Sequence, residues 1–439
     1  MSSKRLLIVS PHFPPVNAPD AQRARLSLPY FREFGWEPSV LAVEPRQVAG
    51  LHESRPAFTL PSDVAVHHCG ALPARLTRLA GLGSLGPRAW LHLRGAGARL
   101  LHLEHFDLVF FSTAQFLTFT LGAAWKKKFG TPFVIDLQDP WRTDYYEQPG
   151  SPPPPGGWKY RFARWQAEHF EEPAFEPAAG FVSVSENYLE QLRARYPWFA
   201  TKPSTVIPFG ASEADFASAQ GDRTLSPAFS REPGCVHLVS MGAAGPIMAE
   251  ALHALFSALR TFRDEQPAQA RRLRLHFIGT SYAPSTQAAP TVKPIAEAHG
   301  VGDLVIEQPA RIGYPESLKT MLAADALLLL GSDDLGYTPS KIAPYFLAGR
   351  PVLAFAPAGS AAGARIAALN FARIVSLPAT DNARDAREFF STLLAEPAQL
   401  QNGARNTGLF DTQFTARAGT RRLCEFFDQA LSARTDAHG

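Results

Sequence analysis

Cysteine is scarce in this sequence: the chain of 439 residues has three, Cys69, Cys235 and Cys424. They are odd in number, lie far apart and form no Cys-x-x-Cys pair. This pattern excludes the disulfide framework of small secreted domains and argues against a structural zinc site. The cysteine content therefore fits a reducing compartment.

Apolar runs of membrane-spanning length are also missing. No run approaches the ~18 residues that identify a spanning helix. The apolar run at residues 6–9 is broken at once by Pro11, and it is too short for the apolar region of a signal peptide. We therefore expect a cytoplasmic protein.

Charge is low and nearly balanced. Charged residues make up 19% of the chain, below the usual ~25%, and the net charge is +3. This net charge decides nothing about nucleic acid, but the sequence has no basic tail. Its lysine triplet at residues 126–128 is typical of the last turn of a helix. We expect no nucleic-acid partner.

A helical stretch at residues 73–105 leaves two interpretations open. Arginines and histidines alternate there with leucines and Trp90 at helical spacing. This pattern is typical of a helix at a membrane surface, and also of an ordinary surface helix packed on a sheet. Peripheral contact with the inner face of a membrane is therefore one alternative for this segment.

The length predicts two domains, because ~100–200 residues per domain is usual. Residues 211–234 hold few aliphatic side chains and many Ser, Asp, Gly and Pro, which is typical of a linker. The predicted parts are an N-terminal domain at 1–210, this linker, a C-terminal domain at 235–410 and a C-terminal segment at 411–439. We expect that segment to be a helix that returns to the first domain.

The most informative stretch lies in the predicted second domain. An apolar run at residues 326–330 reads as a buried strand, and a loop with two acids follows it. Pro339 suits the first turn of a helix that Thr338 can cap and Gly349 ends. Another strand follows at 351–355. Such a strand–loop–helix unit places free helix N–H groups beside a ligand, and Lys341 adds a positive charge for an anion.

The rest of the second domain alternates strands and helices, which predicts a doubly wound parallel sheet. Its first strand ends at Gly242, in a Gly-Ala-Ala-Gly-Pro turn. A Gly-rich turn that opens a helix can cradle a phosphate, although it is also a common tight turn.

The first domain begins with the same kind of unit. A strand at residues 6–10 leads into a proline-rich loop that contains His12, and a helix is predicted at 21–34. A later strand ends in Asp136, and Asp139, Pro140 and Trp141 follow. Carboxylates at the end of a buried parallel strand tend to line ligand sites, although Asp139 also suits a turn cap.

These segments resemble the family-four glycosyltransferases of the two-domain GT-B fold. The stretch that reads "PSKIAPYFLAGRPV" here has the family form "PSKxxEYxAxGKPV". The "FPP" loop, Arg23 in the first helix, "FGWEP", the "DPW" that starts at Asp139, and Ser185 resemble the family too. The similarity covers about 1–45, 132–141, 180–210 and 304–355.

The resemblance implies an α/β protein of GT-B architecture, with two doubly wound parallel-sheet (Rossmann-like) domains that face a cleft. It implies transfer of a sugar, with retention, from a nucleotide diphospho-sugar to a hydroxyl of a saccharide, lipid-linked or small-molecule acceptor. No metal or other cofactor is expected. The pathway it suggests is the biosynthesis of saccharides, polysaccharides or glycoconjugates.

The resemblance also implies roles for individual residues. Those assigned to the donor nucleotide are Gly242, Arg311, Ile312, Tyr337, Thr338, Pro339, Ser340 and Lys341. Those assigned to the acceptor or sugar side are His12, Arg23, Asp139 and Trp141. The catalytic candidates are Asp139, Lys341 and Arg23.

The chain departs from the family pattern in its second domain. No Arg or Lys occurs between Gly242 and Ala251, where the family places a clamp for the diphosphate, and Arg311 is a candidate replacement. Gly336 and Pro344 stand at the positions of the family's two glutamates. Either Asp333 or Asp334 can supply a carboxylate instead. These departures keep two alternatives open: a GT-B-like binding or scaffold protein with impaired catalysis, and another enzyme of this fold.

Overall fold

The computed structural model describes residues 3–53, 60–77, 83–143, 146, 157–281, 288–379, 383–401 and 405–435. The chain divides into two compact units. The first comprises Met1–Phe209 and Ala416–Gly439, and the second comprises Gly210–Thr415. Arg78, which belongs to the basic pattern of the stretch at 73–105, lies outside the described residues.

The first unit is built on a parallel sheet of seven strands in the order β3-β2-β1-β4-β5-β6-β7. Its core strands are short apolar runs, as expected for strands that helices cover on both faces. The strands are β1 (Lys4–Val9), β2 (Trp36–Val43), β3 (Ala65–Cys69), β4 (Leu108–Ser112), β5 (Phe133–Leu137), β6 (Gly180–Ser183) and β7 (Ser204–Val206).

Helices connect these strands. They are α1 (Gln22–Ser27), α2 (Ala74–Thr77), α3 (Leu85–Leu103), α4 (Thr120–Phe129), α5 (Trp158–Phe175) and α6 (Glu186–Arg195). The first helix is shorter than predicted, because α1 ends at Ser27 and a separate 3-10 turn occupies Phe31–Phe34. Gly35 then closes this segment in the left-handed conformation, with φ of 81°.

The second unit contains a parallel sheet of six strands in the order β10-β9-β8-β11-β12-β13. The strands are β8 (Val236–Met241), β9 (Leu273–Ile278), β10 (Val305–Gln308), β11 (Ala326–Leu330), β12 (Val352–Pro357) and β13 (Arg373–Leu377). The two parallel α/β sheets confirm the predicted fold class.

The helices of the second unit begin with α7 (Glu213–Gly221), α8 (Ala249–Glu265), α9 (Pro267–Ala270), α10 (Lys293–Ala298) and α11 (Tyr314–Ala323). They continue with α12 (Ile342–Ala348), α13 (Ala361–Leu369), α14 (Arg384–Ala395) and α15 (Thr407–Gln413). Among the helices that the structure describes, none is long and apolar enough to cross a membrane.

The segment predicted as a linker, residues 211–234, is instead a folded part of the second unit. Helix α7 lies within it and packs against α11. The Tyr314 hydroxyl donates a 3.0 Å hydrogen bond to Asp215. Phe216, Leu225 and Phe229 are buried. A few well-placed apolar side chains thus hold a stretch whose average composition is polar.

The last helix of the chain, α16 (Ala416–Thr435), belongs to the first unit. It starts at Ala416 because the preceding residues form the separate helix α15 in the second unit. Phe427 anchors it: the ring centroid lies 5.0 Å from that of Phe110 and 5.5 Å from that of Trp36. All three rings are buried, so this face of α16 completes a core layer of the first sheet.

Candidate donor site and acceptor-side residues

The loops of the second sheet meet where its strand order reverses, between β8 and β11. Connections in such a sheet leave the sheet in opposite directions at this point, which opens a crevice beyond the carboxyl ends of the strands. The loop after β8 starts at Gly242, and the loop after β11 starts at Gly331. A 2.8 Å hydrogen bond from Asp333 N to Ile247 O joins the two connections.

Two glycines form the floor of this region. Gly242 and Gly279 follow β8 and β9 with φ of 82° and 75°, a conformation that other residues rarely adopt. A Cβ on Gly279 would lie 3.7 Å from Arg311 Cα and 3.8 Å from Gly242 Cα. The ends of β8, β9 and the loop after β10 therefore approach one another closely.

Lys341 lies directly over Gly242. A Cβ added to Gly242 would stand 3.0 Å from Lys341 Cε and 3.4 Å from its Nζ. Within the part of the chain that the structure describes, no carboxylate lies within ion-pair distance of Nζ. The side chain is partly exposed, and desolvation by the surrounding protein lowers its pKa to about 8. An ammonium without a counter-ion at a glycine floor can receive an anionic ligand.

The helix that carries Lys341 is shorter than predicted. Lys341 is the N-cap residue of α12, so Pro339 and Ser340 precede the helix. Thr338 does not cap it: the hydroxyl is buried and has no hydrogen-bond partner among the described residues. Gly349 closes α12 in the left-handed conformation with φ of 70°, as the sequence predicts.

Tyr345, which the sequence pattern did not single out, fixes α12 against the sheet. Its buried hydroxyl accepts a 2.9 Å hydrogen bond from Met241 N, next to Gly242. The same hydroxyl donates to Leu328 O at 3.3 Å. A tyrosine one turn after Lys341 on an otherwise apolar helix is a signal for such a bond, because a buried phenol needs a partner.

The remaining donor-side candidates have mixed placements. Asp334 accepts a 2.9 Å hydrogen bond from Gly336 N, so it stabilises the loop turn. Tyr337 packs against the apolar core of the second unit. Arg311 and Ile312 lie in the loop after β10. Arg311 lies beside Gly279. The assignment of these side chains to a nucleotide stays a prediction.

The first sheet reverses its strand order between β1 and β4, and several polar side chains collect there. His12 follows β1, and its Nδ1 lies 2.9 Å from Asp20 Oδ1. Asp20 is buried, and it accepts hydrogen bonds from the Thr113 hydroxyl at 2.9 Å and from Ala114 N at 3.2 Å. The sequence pattern indicates His12 but not Asp20, because only the fold of the intervening loop brings the two side chains together.

The Arg23 side chain is buried in the interior of the first unit. Its Nε lies 2.8 Å from Oδ2 of Asp136, and its Nη2 donates to Ile207 O at 2.8 Å. Arg23 and Asp136 are both buried. A buried charge needs such a partner, so these contacts account for Arg23 structurally. Its proposed acceptor-side role stays a prediction.

Asp139 lies just beyond β5, surrounded by protein on most sides while part of its surface stays in solvent. Desolvation raises its pKa to about 6, and the charges of Asp20 and Asp136 act in the same direction. A carboxyl group with this pKa can exchange a proton near neutral pH. Proton exchange near neutral pH is consistent with the acceptor-side role predicted for Asp139. Its part in catalysis stays a prediction.

Trp141 lies mainly within an aromatic cluster. Its ring stacks on Phe116 with centroids 5.9 Å apart and planes 13° apart. The ring centroids of Phe119 and Phe175 lie 6.0 and 5.9 Å from that of Trp141, the first edge-on and the second tilted. These contacts cover much of the ring, so packing accounts for the residue at least as well as stacking on a sugar.

Three comparisons with known proteins bear on this architecture. Residues 21–210 match the family model of the glycosyl transferase 4-like domain. A comparison with curated protein sequences found no match. Many solved structures match the chain, and those described next are 12–14% identical to it, a likeness that establishes the fold.

Sucrose-phosphate synthase from Thermosynechococcus elongatus has a TM-score of 0.63 at 14% identity, over 98% of this chain and 100% of that one. The trehalose 6-phosphate synthase of Burkholderia multivorans has a TM-score of 0.60 at 12% identity, over 100% and 99%. The Anabaena protein HepE, solved with UDP-glucose, has a TM-score of 0.54 at 13% identity, over 98% and 99%. The chain thus has the GT-B fold, and its residues 21–210 match the glycosyl transferase 4-like domain.

Proposed function

We propose that this protein transfers a sugar from a nucleotide diphospho-sugar to an acceptor hydroxyl. The observation that carries the proposal is the position of Lys341 over Gly242, at the strand-order reversal of the second sheet. When the sugar leaves, negative charge develops on the diphosphate, and a preorganised cation stabilises it. Lys341 has no carboxylate partner among the described residues, so its charge is available for this purpose.

The position of Lys341 beside Gly242 also supplies the cation that the family pattern places in the turn after β8 and that this turn lacks. The turn after β8 has no Arg or Lys of its own between Gly242 and Ala251. Lys341 brings a cation to that turn from a point 99 residues further along the chain. We therefore assign the diphosphate to the space beside Gly242 and Lys341. Two neighbours of this fold were solved with UDP-glucose and UDP-2-fluoro glucose, so UDP is the first nucleotide to test.

Retention of configuration and independence of metal belong to the proposal as implications of the family resemblance. The acceptor is a saccharide, a lipid-linked molecule or a small metabolite, with a role in saccharide or glycoconjugate biosynthesis. A product analysis by NMR establishes the anomeric configuration. Comparison of turnover with magnesium and with a chelator tests metal independence.

The exposed face of α3 supports peripheral membrane contact as part of this proposal. Leu91 and Leu103 are 61% and 70% exposed, and Arg94 and Arg99 lie on the same outer side. No Asp or Glu occurs at residues 64–103. A basic surface with exposed leucines suits an anionic lipid surface. Cosedimentation with phosphatidylglycerol vesicles but not with phosphatidylcholine vesicles is the expected result, and equal sedimentation with both contradicts it.

A thermal-shift panel tests the donor site directly. UDP, GDP, ADP and dTDP are each added with and without magnesium. A nucleotide at about 100 times its dissociation constant adds roughly 2.7 kcal/mol to the stability of the domain that binds it. We expect one nucleotide to raise the melting temperature without metal. If none does, the proposed donor site is wrong.

The alternative of a binding or scaffold protein is supported by Gly336 and Pro344, which stand where the family has glutamates. Neither side chain can accept a hydrogen bond from a ribose. Release of nucleoside diphosphate from a nucleotide sugar distinguishes the two functions. If the protein binds a nucleotide sugar but releases no nucleoside diphosphate from it with any class of acceptor, the result favours the scaffold function.

A further inference from the structure

The most exposed aromatic side chains that the structure describes all lie on one helix, α5. Trp158 is 60% exposed, Trp165 is 45% exposed and Phe170 is 36% exposed. Every other Trp and Phe among the described residues is buried or half-buried. Apolar rings in water are unfavourable, so a group of them on one helix marks a surface that a ligand or a partner covers.

Four rings of α5 form a stripe along the helix. The members of this aromatic stripe are Trp158, Phe162, Trp165 and His169. Spacings of four, three and four residues place them on one side of the helix. The ring centroid of Trp165 lies 5.8 Å from that of Phe162 and 4.6 Å from that of His169. The His169 ring is held by a 2.8 Å hydrogen bond from its Nδ1 to Trp165 O. At 1.5 Å of rise per residue, the aromatic stripe is about 16 Å long.

Polar side chains of both signs line one edge of the aromatic stripe. Arg161, Glu168 and Glu172 are exposed, and the turn of about 100° per residue places them on the same flank of the helix. Glu168 pairs with Arg164 at 2.8 Å, and Glu172 accepts a 2.9 Å hydrogen bond from Trp198 Nε1. A carboxylate that accepts one such bond keeps lone pairs for others. The aromatic stripe thus offers ring faces beside hydrogen-bonding groups whose charges, two arginines and two glutamates, balance.

The aromatic stripe begins toward the edge of the first sheet to which the acceptor is assigned. Helix α5 connects β5 to β6, which are parallel neighbours, so it runs opposite to the strands. Its first residue, Trp158, therefore lies toward the carboxyl edge of the sheet. Asp139 follows β5 at this same edge. A linear molecule whose end lies beside Asp139 can continue along α5.

We propose that the aromatic stripe binds the sugar chain of an oligosaccharide or polysaccharide acceptor. This inference rests on the proposed function, and it selects the saccharide among the acceptor classes named there. A pyranose ring presents C–H groups on its faces and hydroxyl groups around its rim. The faces pack on Trp158 and Trp165, and the hydroxyls form hydrogen bonds with the polar side chains of the flank. The two tryptophans bind the acceptor and take no part in the chemical step.

A lipid surface fits the aromatic stripe less well than it fits α3. The exposed apolar side chains of α3, Leu91 and Leu103, are aliphatic, and no Asp or Glu occurs at residues 64–103. The aromatic stripe instead has flat rings with Glu168 and Glu172 exposed at its edge. Carboxylates are repelled by anionic headgroups and are costly to bury in an apolar layer. The two exposed surfaces of the first unit therefore differ in the partner that they fit.

The aromatic stripe is also too small for a stable interface with a second copy of the chain. A ring of this kind has at most about 250 Å² to bury, so the three exposed rings of α5 offer less than about 400 Å² at the fractions given above. A stable protein interface buries about 800 Å² on each partner. A row of rings that is one helix wide fits a narrow linear ligand, and a saccharide chain has that shape.

Titration calorimetry of the full chain with neutral saccharides tests the aromatic stripe without any assay of activity. The probes are maltohexaose and cellohexaose, with maltose and cellobiose as the short counterparts. We expect a hexasaccharide to bind about fivefold or more tightly than its disaccharide, because the longer chain contacts more rings. Trp158→Ala and Trp165→Ala should each weaken binding of the hexasaccharide about fivefold or more.

Leu91→Ala is the matched control, because it removes an exposed apolar side chain of the same unit outside the aromatic stripe. It is expected to leave the affinity for saccharide unchanged. Both tryptophans are exposed and alanine is a good helix former, so the two variants should melt at the temperature of the parent. If the parent binds neither hexasaccharide, or if the tryptophan variants bind as tightly as the parent, the proposal is wrong.

The same two variants distinguish a saccharide from other occupants of the surface. If they lose cosedimentation with phosphatidylglycerol vesicles and keep the affinity for saccharide, the surface binds lipid and the proposal is wrong. If light scattering shows that the parent is a dimer and the variants are monomers, with saccharide affinity unchanged, the occupant is a second copy and the proposal is again wrong.

The outcome is also separable from that of the proposed function. In transfer to a hexasaccharide, the tryptophan variants should raise KM for the acceptor and leave kcat and the thermal shift with nucleotide unchanged. If the parent binds nucleotide but no saccharide, this inference fails and the proposed function stands. If the parent binds a hexasaccharide through the aromatic stripe but binds no nucleotide, the saccharide site stands, and its acceptor role fails with the proposed function.

Discussion

Lys341 is the residue whose chemistry matters most for the second unit. A lysine near a site is usually charged well above neutral pH, but desolvation lowers the pKa of Lys341 to about 8. The charge on which the proposed diphosphate site depends is therefore lost within an accessible pH range. Bound diphosphate favours the charged form, so nucleotide binding takes up a proton when the pH is above that value.

The prediction at this scale concerns Lys341→Ala. We expect the variant to bind nucleoside diphosphate at least tenfold more weakly, which corresponds to about 1.4 kcal/mol. The parent loses affinity as the pH rises through 8, whereas the variant shows no such decline. Titration calorimetry at pH 7 and pH 9 measures both effects. Lys127→Ala, at an exposed lysine of α4, serves as the control. Equal affinity of Lys341→Ala and the parent refutes the site assignment.

At the scale of elements, the position of α12 depends on one buried phenol. Tyr345 accepts from Met241 N on β8 and donates to Leu328 O on β11. These two strands flank the strand-order reversal, so the bonds set the distance between Lys341 and the glycine floor. The geometry of the site is thus a property of packing between a helix and two strands.

Tyr345→Phe tests this point. The variant leaves Met241 N–H buried without its acceptor, which costs about 1–3 kcal/mol. We expect urea denaturation to show that loss and nucleotide affinity to fall with it. Tyr196→Phe in the first unit also removes a buried hydroxyl bond, to Glu171 at 3.0 Å, and it should leave nucleotide affinity unchanged. Unchanged affinity in Tyr345→Phe contradicts the positioning role.

The elements also show what a single sequence can and cannot predict here. Buried parallel strands such as β11 are short apolar runs between breakers, so they were predicted within a residue or two. The approach of Lys341 to Gly242 depends on which strands are neighbours, and no local pattern contains that information. Helix α7 was missed because its few buried side chains are diluted by polar residues.

At the scale of the whole molecule, α16 determines whether the first unit is complete. Phe427 contributes a buried ring that contacts Phe31, Trp36 and Phe110. These partners lie 317 to 396 residues earlier in the sequence. A contact of this kind joins the two ends of the chain within one core.

Phe427→Ala should lower the free energy of unfolding of the first unit by about 3–5 kcal/mol, because it removes a large ring from a packed core. Denaturation followed by tryptophan fluorescence measures the loss, with Trp36 as a reporter next to the ring. Arg421→Ala, on the exposed side of the same helix, should change stability by less than about 0.5 kcal/mol. Similar stabilities for the two variants contradict the role assigned to this face of α16.

The return of α16 also has a consequence for the order of folding during synthesis. The second unit is one continuous segment, Gly210–Thr415, and all of it is translated before the last helix. It can fold on the ribosome while the first unit still lacks its final piece. The apolar surface around Phe31, Trp36 and Phe110 stays uncovered during that interval. The nascent chain therefore exposes this apolar surface until α16 has been translated, and this is the stage at which a chaperone has most to protect.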